Sequence, residues 1–351
     1  MRRTSKQPSL RGQDIDQQAA RSTQHAEPPR CFCMLLAASC MLMDLSVEIA
    51  GLHLDHPVIN GSGTFDAMAA RRAFGDALLA AFPFSMFVSK TITPEARAGN
   101  PPPRIFETPA GMINSIGLPN KGLEGFLAQD LPQLAELPVP LCVSVMATSH
   151  GEFARLVEAV AARDEVAALE LNISCPNVES GLIVGEQAPE TLSLLQTVRP
   201  ITAKPLIVKL TPNVADPAAI ARAAGEGGAD AVSLVNTLKA TAFAPGSTEP
   251  WLGAGRGGLS GPAIRPVALE QVRSVAASVS IPVIGMGGIE SGADALDFLA
   301  TGAAVVAVGT ANFRDPLAGA RVRAELEAAL ASAGLASPQD LGERIAASTS
   351  T

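Results

Sequence analysis

Long apolar runs are missing from this 351-residue chain: none reaches the roughly 18–20 residues that a membrane-spanning helix needs. Histidine is scarce, with His25, His53, His56 and His150 the only four. Beyond residue 42 the cysteines are Cys142 and Cys175 alone. So few soft or imidazole ligands argue against a structural zinc site, a histidine-based metalloenzyme or an iron–sulfur centre in residues 43–351. Positive charge is not in excess either. The formal net charge is −8, where a nucleic-acid binder shows a basic face. What the chain does have is apolar bulk, 47% of residues against 17% charged, enough to bury a full core. At roughly 100–200 residues per domain, the length allows one large domain or two modest ones.

The first 42 residues differ from the rest. They carry six Lys/Arg against three Asp/Glu in an otherwise acidic chain, and Arg2, Arg3, Lys6 and Arg11 precede a polar Gln/Ser-rich stretch. Cys31-Phe32-Cys33-Met34-Leu35-Leu36 is a short apolar patch, and Ala37-Ala38-Ser39 is rich in small residues. The basic residues lie far from that patch, which is too short for a good signal-peptide core. Cys31 and Cys33 lack metal-ligand spacing, and the cysteines here do not amount to a disulfide framework. Residues 1–42 are therefore expected to be a disordered extension, or translation from an upstream start, with Met41 and Met43 as alternative starts. Residues 43–351 are expected to form the folded domain of a soluble, cytoplasmic protein.

From Met43 the pattern is regular. Ser46–Ile49 and Leu52–Leu54 flank Ala50-Gly51 and read as a small hairpin. Eight short apolar or β-branched runs follow: Pro57–Asn60, Met86–Thr91, Leu141–Val145, Ala168–Ile173, Leu206–Leu210, Ala231–Asn236, Pro282–Met286 and Ala304–Val308. Between them lie helical segments such as Gly151–Arg163, Pro189–Val198, Pro217–Glu226, Pro262–Ser278 and Ser291–Ala300. Leu317–Ala333 and Ser337–Ala346 close the chain as helices. Near-continuous apolar strands alternating with helices indicate a parallel sheet covered by helices. Eight such units point to an α/β fold of the (β/α)8, or TIM, barrel type, with a doubly wound open sheet as the alternative. Thr93–Pro140 is too long for one crossover and is expected to be an insertion over the barrel mouth.

In such a barrel the chemistry sits at the C-terminal strand ends. Those ends are polar here: Ser89-Lys90-Thr91 on the second run, Asn172 to Asn177 after the fourth, Lys209 on the fifth and Asn236-Thr237 on the sixth. A lysine closing an apolar strand is ordinarily a surface residue. Two of them, Lys90 and Lys209, each need an anion or a reacting group to face. Gly287-Gly288 and Gly309-Thr310 follow the seventh and eighth runs, where barrels bind a ligand phosphate through backbone N–H groups. Gly253-Ala254-Gly255-Arg256-Gly257-Gly258 matches G-x-G-x-x-G but follows no strand and opens no helix, so its dinucleotide meaning is weak. It reads as a flexible loop ending in Ser260-Gly261-Pro262. Cys142, inside a strand, reads as a buried hydrophobe. Cys175 sits in a loop between Ser174 and Pro176. With an intrinsic pKa near about 8.5 it could serve as a base or as a nucleophile, and the residues alone do not choose.

Three segments, Asn172-Ile173-Ser174-Cys175-Pro176-Asn177-Val178, Asn114-Ser115-Ile116-Gly117-Leu118-Pro119-Asn120 and Ile284-Gly285-Met286-Gly287-Gly288-Ile289, closely resemble dihydroorotate dehydrogenases. The resemblance runs from about Met43 to the end and covers all eight runs in order. Cysteine at 175, where the membrane-associated class carries serine, resembles the soluble class 1 enzymes. The Ser174–Glu179 context and the Gly181–Gly185 loop look most like the NAD-linked class 1B catalytic subunit.

That resemblance implies FMN-dependent oxidation of dihydroorotate to orotate in pyrimidine biosynthesis, with one FMN per chain and Cys175 as the base for the C5 proton. It implies substrate contacts from Lys90, Asn114, Ser115, Ile116, Gly117, Leu118, Asn172, Asn177, Asn236 and Thr237. For the flavin it implies Ser62, Lys90, Thr91, Ser144, Asn172, Lys209, Val235 and Gly261, with Gly287, Gly288, Gly309 and Thr310 around the phosphate. It further implies a homodimer core flanked by two partner subunits carrying FAD and a [2Fe–2S] cluster, as a two-plus-two heterotetramer, with no metal on this chain. Class 1B proteins often offer asparagine to the flavin where this chain has Ser144, so that contact is expected to be shorter or absent. The competing readings are a class 1A enzyme that reduces fumarate, a phosphosugar-binding lyase or isomerase with a Schiff-base lysine, and a scaffold that keeps the barrel without catalysis.

Overall fold

The computed structural model describes residues 43–173 and 184–341. Eight parallel strands form its centre. In chain order they are β3 (Val58–Asn60), β4 (Phe87–Val88), β7 (Leu141–Val145), β8 (Ala168–Asn172), β9 (Leu206–Lys209), β10 (Ala231–Leu234), β13 (Val283–Met286) and β14 (Val305–Val308). All eight runs anticipated from the sequence are strands, Leu141–Val145 with its expected bounds and the other seven shorter by one to three residues at one end or both. Their order in the sheet, β3-β14-β13-β10-β9-β8-β7-β4, is that of a (β/α)8 barrel laid open between β3 and β4.

That seam is joined differently from the other seven. Ser85 N–H donates to the Val58 carbonyl at 3.1 Å at its lower end. Above it, the buried Asn60 carboxamide accepts from Val88 N–H at 2.9 Å and donates to the Val88 carbonyl at 2.8 Å. One side chain thus supplies the donor and acceptor that a backbone ladder gives elsewhere.

Strand residues alternate, as the period of two requires. On β8, Leu169 and Leu171 point outward into the large core between sheet and helices. Ala168 joins the interior cluster with Ile59, Met86, Cys142, Ile207, Ala231, Ile284 and Val305. The hairpin of β1 (Val47–Ile49) and β2 (Leu52–Leu54) adds Val47, Ile49 and Leu54 to that same cluster, so it plugs the N-terminal end of the barrel. Burial pushes the Cys142 thiol well above its ordinary pKa, reinforced by Glu170 and opposed by Lys209; it is the inert hydrophobe anticipated.

The crossover helices include His150–Ala161, Ala188–Val198, Pro217–Glu226, Arg265–Ala276, Gly292–Ala300 and Ala318–Ser332. Ser149, Asp216 and Ser291 cap three of them, each accepting a backbone N–H from the first turn, which explains why those helices begin where they do. Helix Ala67–Phe74, absent from the sequence reading, is capped by Asp66 in the same way. Part of the last expected helix, Ser337–Ala346, lies outside the described residues; 338–341 are helical.

The insertion contributes two strands to a second sheet, whose other two come from the connection between β10 and β13. β5 (Ile105–Thr108) and β6 (Gly111–Asn114) pair as a hairpin, and β6 pairs with β12 (Gly257–Ser260), which pairs with β11 (Leu238–Ala240). This corrects one expectation. The end of the glycine-rich run is not a loose loop but a strand, because Gly257 and Gly258 lie against the Asn114 backbone and the Thr237 side chain with no space for a Cβ.

Candidate active site

Above the apolar floor, the barrel interior turns polar in one layer. Glu170, two residues along β8 from Ala168, is 3% exposed. Its Oε1 accepts from Ser144 Oγ at 3.0 Å and its Oε2 from Ser233 Oγ at 3.0 Å. The ammonium of Lys209, 6% exposed, lies 3.8 Å from Oε2. These side chains are neighbours by register, Ser144 opposite Glu170 and Ser233 opposite Lys209. Hydroxyls continue the layer: Ser144 Oγ is 2.9 Å from Thr91 Oγ1, which is 3.1 Å from Ser62 Oγ and accepts from Asn172 Nδ2 at 3.3 Å.

Directly above, a cavity of about 440 Å³ opens at the C-terminal strand ends, a size suited to a cofactor with its substrate. Ser62, Lys90, Thr91, Asn172, Lys209 and Val235 line it on the barrel side. Asn114, Ile116, Gly117 and Leu118 line it on the insertion side, with Asn236 and Thr237 between. Lys90 folds across Gly63, where an added Cβ would come within 2.9 Å of Nζ.

One end is glycine-rich: Gly61, Gly261, Gly287, Gly288 and Gly309 line it with Thr310, whose hydroxyl donates to Ser260 Oγ at 2.8 Å. The N–H groups of Gly287, Gly288 and Gly309 have no backbone acceptor among the described residues. Beside Gly309 an added Cβ would meet a single atom, Thr64 Cγ2 at 3.7 Å, so the space there is open to a ligand group. Free amide donors at one end and two lysines within reach form a donor set for a phosphate and a second, delocalised anion. The cavity therefore fits a mononucleotide such as FMN.

Two expected contacts fall one layer back. Ser115 is buried and accepts from Asn100 Nδ2 at 2.9 Å, fixing the Asn114–Leu118 loop from behind. Ser144 is spent on Thr91 and Glu170 and does not line the cavity. Cys175 and Asn177 lie outside the described residues. The residues flanking them, Ile173 and Gly185, are joined by a 3.1 Å hydrogen bond at the end of β8, next to Asn172. The sequence reading overlooked Glu170, although a lone carboxylate two positions before Asn172, on the same face of an apolar strand, was the signal for it. Thr64, Met112 and Phe313 also line the cavity unanticipated. Among the described residues there is no cluster of three metal-ligating side chains, and no helix is long and apolar enough to cross a membrane.

The family model of dihydroorotate dehydrogenase matches residues 44–330. The chain belongs to the dihydroorotate dehydrogenase family. Its relatives include proteins named dihydroorotate dehydrogenase B (NAD(+)), catalytic subunit. That of Desulforudis audaxviator is 46% identical over 89% of this chain and 99% of its own length. That of Geobacter metallireducens is 44% identical over 85% of this chain and 97% of its own. That of Geobacter sulfurreducens is 43% identical, with the same coverage as its congener.

Proposed function

We propose that this family member oxidises dihydroorotate to orotate, as the FMN-bearing catalytic subunit of an NAD-linked enzyme of pyrimidine biosynthesis. The observation that carries the reading is the single cavity joining a glycine amide cradle, two lysines and the strand-end asparagines. In this reading Gly287, Gly288, Gly309 and Thr310 hold the FMN phosphate. Ser62, Thr91, Val235 and Gly261 border the rest of the cofactor, and Lys209 faces its electron-rich edge. When bound, FMN supplies a two-electron acceptor for the hydride from substrate C6. Asn114, Asn172, Asn236 and Thr237 orient the substrate ring, while Lys90 and the Asn114–Leu118 backbone hold its carboxylate. Cys175 takes the C5 proton as general base, and Asn177 contributes to substrate binding.

The buried position of Lys209 against Glu170 disfavours the Schiff-base alternative, since a charge-paired ammonium is a poor nucleophile. Electrons leave through a partner subunit. The name "catalytic subunit" of the relatives supports such a partner, and residues 43–351, with two cysteines, cannot hold a four-cysteine cluster of their own. We place FAD and a [2Fe–2S] cluster on that partner, in a two-plus-two assembly on a homodimer of this chain. The test is to purify the full chain alone. It should be yellow with one FMN per chain, reduce a dye with dihydroorotate, form no NADH and reduce fumarate only slowly. Rapid, saturable fumarate reduction would move it to class 1A, and NADH formation without a partner would contradict both classes.

A further inference from the structure

Among the described residues, Glu170 is the one buried carboxylate in the barrel interior, and the proposed reaction leaves its purpose open. It lines the cavity floor beside Lys209 and Asn172, yet the proposed reaction assigns it no part. Both of its oxygens are committed to hydroxyls, Oε1 to Ser144 and Oε2 to Ser233. The ammonium of Lys209 lies 3.8 Å from Oε2, an ion-pair separation longer than a hydrogen bond. The carboxylate compensates the charge of Lys209 without a hydrogen bond to it, and the ammonium stays on the cavity lining.

We infer that Glu170 is a positioning residue: the buried counter-ion, clamped by Ser144 and Ser233, that sets how much positive charge Lys209 presents to the cofactor lying over it. Two ions this close in a site sealed below by Ile207, Ala168 and Cys142 interact strongly, because little water screens them. Replacing the carboxylate by a neutral amide leaves an uncompensated cation at the cavity floor. An anionic guest gains from that cation. FMN gains negative charge when reduced, so the reduced form should gain more than the oxidised form. The clamp also explains why two serines, rather than the branched residues usual in a barrel layer, stand at 144 and 233. Their hydroxyls can turn to donate to a carboxylate or accept from an amide, so Glu170→Gln keeps the shape of the layer.

This inference rests on the FMN reading, and the experiment separates the two. The full chain is purified with its flavin as wild type, Glu170→Gln, Glu170→Asp, Lys209→Gln and the double variant. The midpoint potential of the bound flavin is measured by dye equilibration, and the FMN dissociation constant by fluorescence. For Glu170→Gln the potential should rise, corresponding to about ten- to a hundredfold tighter binding of reduced over oxidised FMN relative to wild type. Glu170→Asp, which keeps the charge, should return towards wild type. Lys209→Gln should shift the potential downward, and the double variant, neutral at both positions, should lie between the two single variants. A wild-type potential in Glu170→Gln, or equal shifts in the Gln and Asp variants, would overturn the inference and leave Glu170 a packing residue. If Glu170→Gln does not fold, Lys209→Gln against the double variant still decides: removing the carboxylate should raise the potential above that of Lys209→Gln, and equal potentials reject the pair. Wild-type protein that binds no FMN would instead dispose of the parent reading.

Discussion

At the scale of single residues, the cavity works by placing charge where water is scarce. Lys209 and Glu170 are buried because each is the other's counter-ion. If Cys175 is the base, Cys175→Ala should bind FMN and orotate normally but lose turnover by about 10²–10⁴-fold; rapid-mixing reduction of the flavin by dihydroorotate measures this, and an unchanged rate removes Cys175 from the chemistry. A second ionisable group controls stability. Burial, aided by the positive charge of Arg323, lowers the pKa of His56 from 6.5 to about 4, with Asp55 opposing. Its Nδ1 accepts from Val58 N–H at 3.3 Å, which requires the neutral ring. In the unfolded chain the imidazole takes a proton near pH 6.5, whereas in the fold it resists until about pH 4. The stabilisation is therefore complete above pH 6.5 and is lost as pH falls towards 4, by about 3 kcal/mol. Urea unfolding at pH 7.5 and 4.5 should show a smaller pH dependence for His56→Asn than for wild type; identical dependences would clear His56.

Among the elements, the insertion sheet matters most, since it carries half of the proposed substrate site over the mouth. Its loop Asn114–Leu118 is anchored by Asn100, which donates to Ser115 Oγ and whose backbone N–H donates to the Ile116 carbonyl at 3.0 Å. Asn100→Ala removes the first bond, about 1 kcal/mol, and should raise KM for dihydroorotate about fivefold while leaving the FMN dissociation constant alone. An equal loss of FMN would show that the loop supports the cofactor instead. The barrel strands were legible because their apolar runs are short, regularly spaced and end in polar residues. Glu170 was hidden by the same regularity, since one charge in such a run is outweighed by four apolar neighbours, although its spacing from Asn172 put it on the inner face. The pairing of β12 with β6 was not legible, because Gly257-Gly258-Leu259-Ser260 has the composition of a turn and becomes a strand only through partners about 145 residues away.

For the whole molecule, the match to the family begins at residue 44, which suits the change in charge and composition after residue 42. A chain starting at Met43 should keep its flavin, its melting temperature and its dye-reducing activity. Loss of flavin or precipitation of that shortened chain would show that residues 1–42 contribute to the fold. The proposed NAD linkage belongs to this scale too, because the chain alone has nowhere to pass electrons except its own cavity or a neighbour.

The Asn60 seam has a kinetic consequence. Seven of the eight strand junctions share their load over a ladder, whereas β3 and β4 meet through one carboxamide, one backbone bond at the lower end and hydroxyl bonds from Ser85 and Ser62. Two residues beyond on each side lie Ser62 and Lys90, both on the cavity wall. Transient parting of this junction would open the wall beside the guest without unfolding the other strands, so we predict that the residence time of the cofactor is set here. Asn60→Asp, which can still accept from Val88 but no longer donates, should shorten that residence time several-fold and speed amide exchange at Val88, with exchange at Val208 on the far side unchanged. Equal acceleration at both amides would mean that the barrel opens as a unit and that the cofactor leaves only when all of it does.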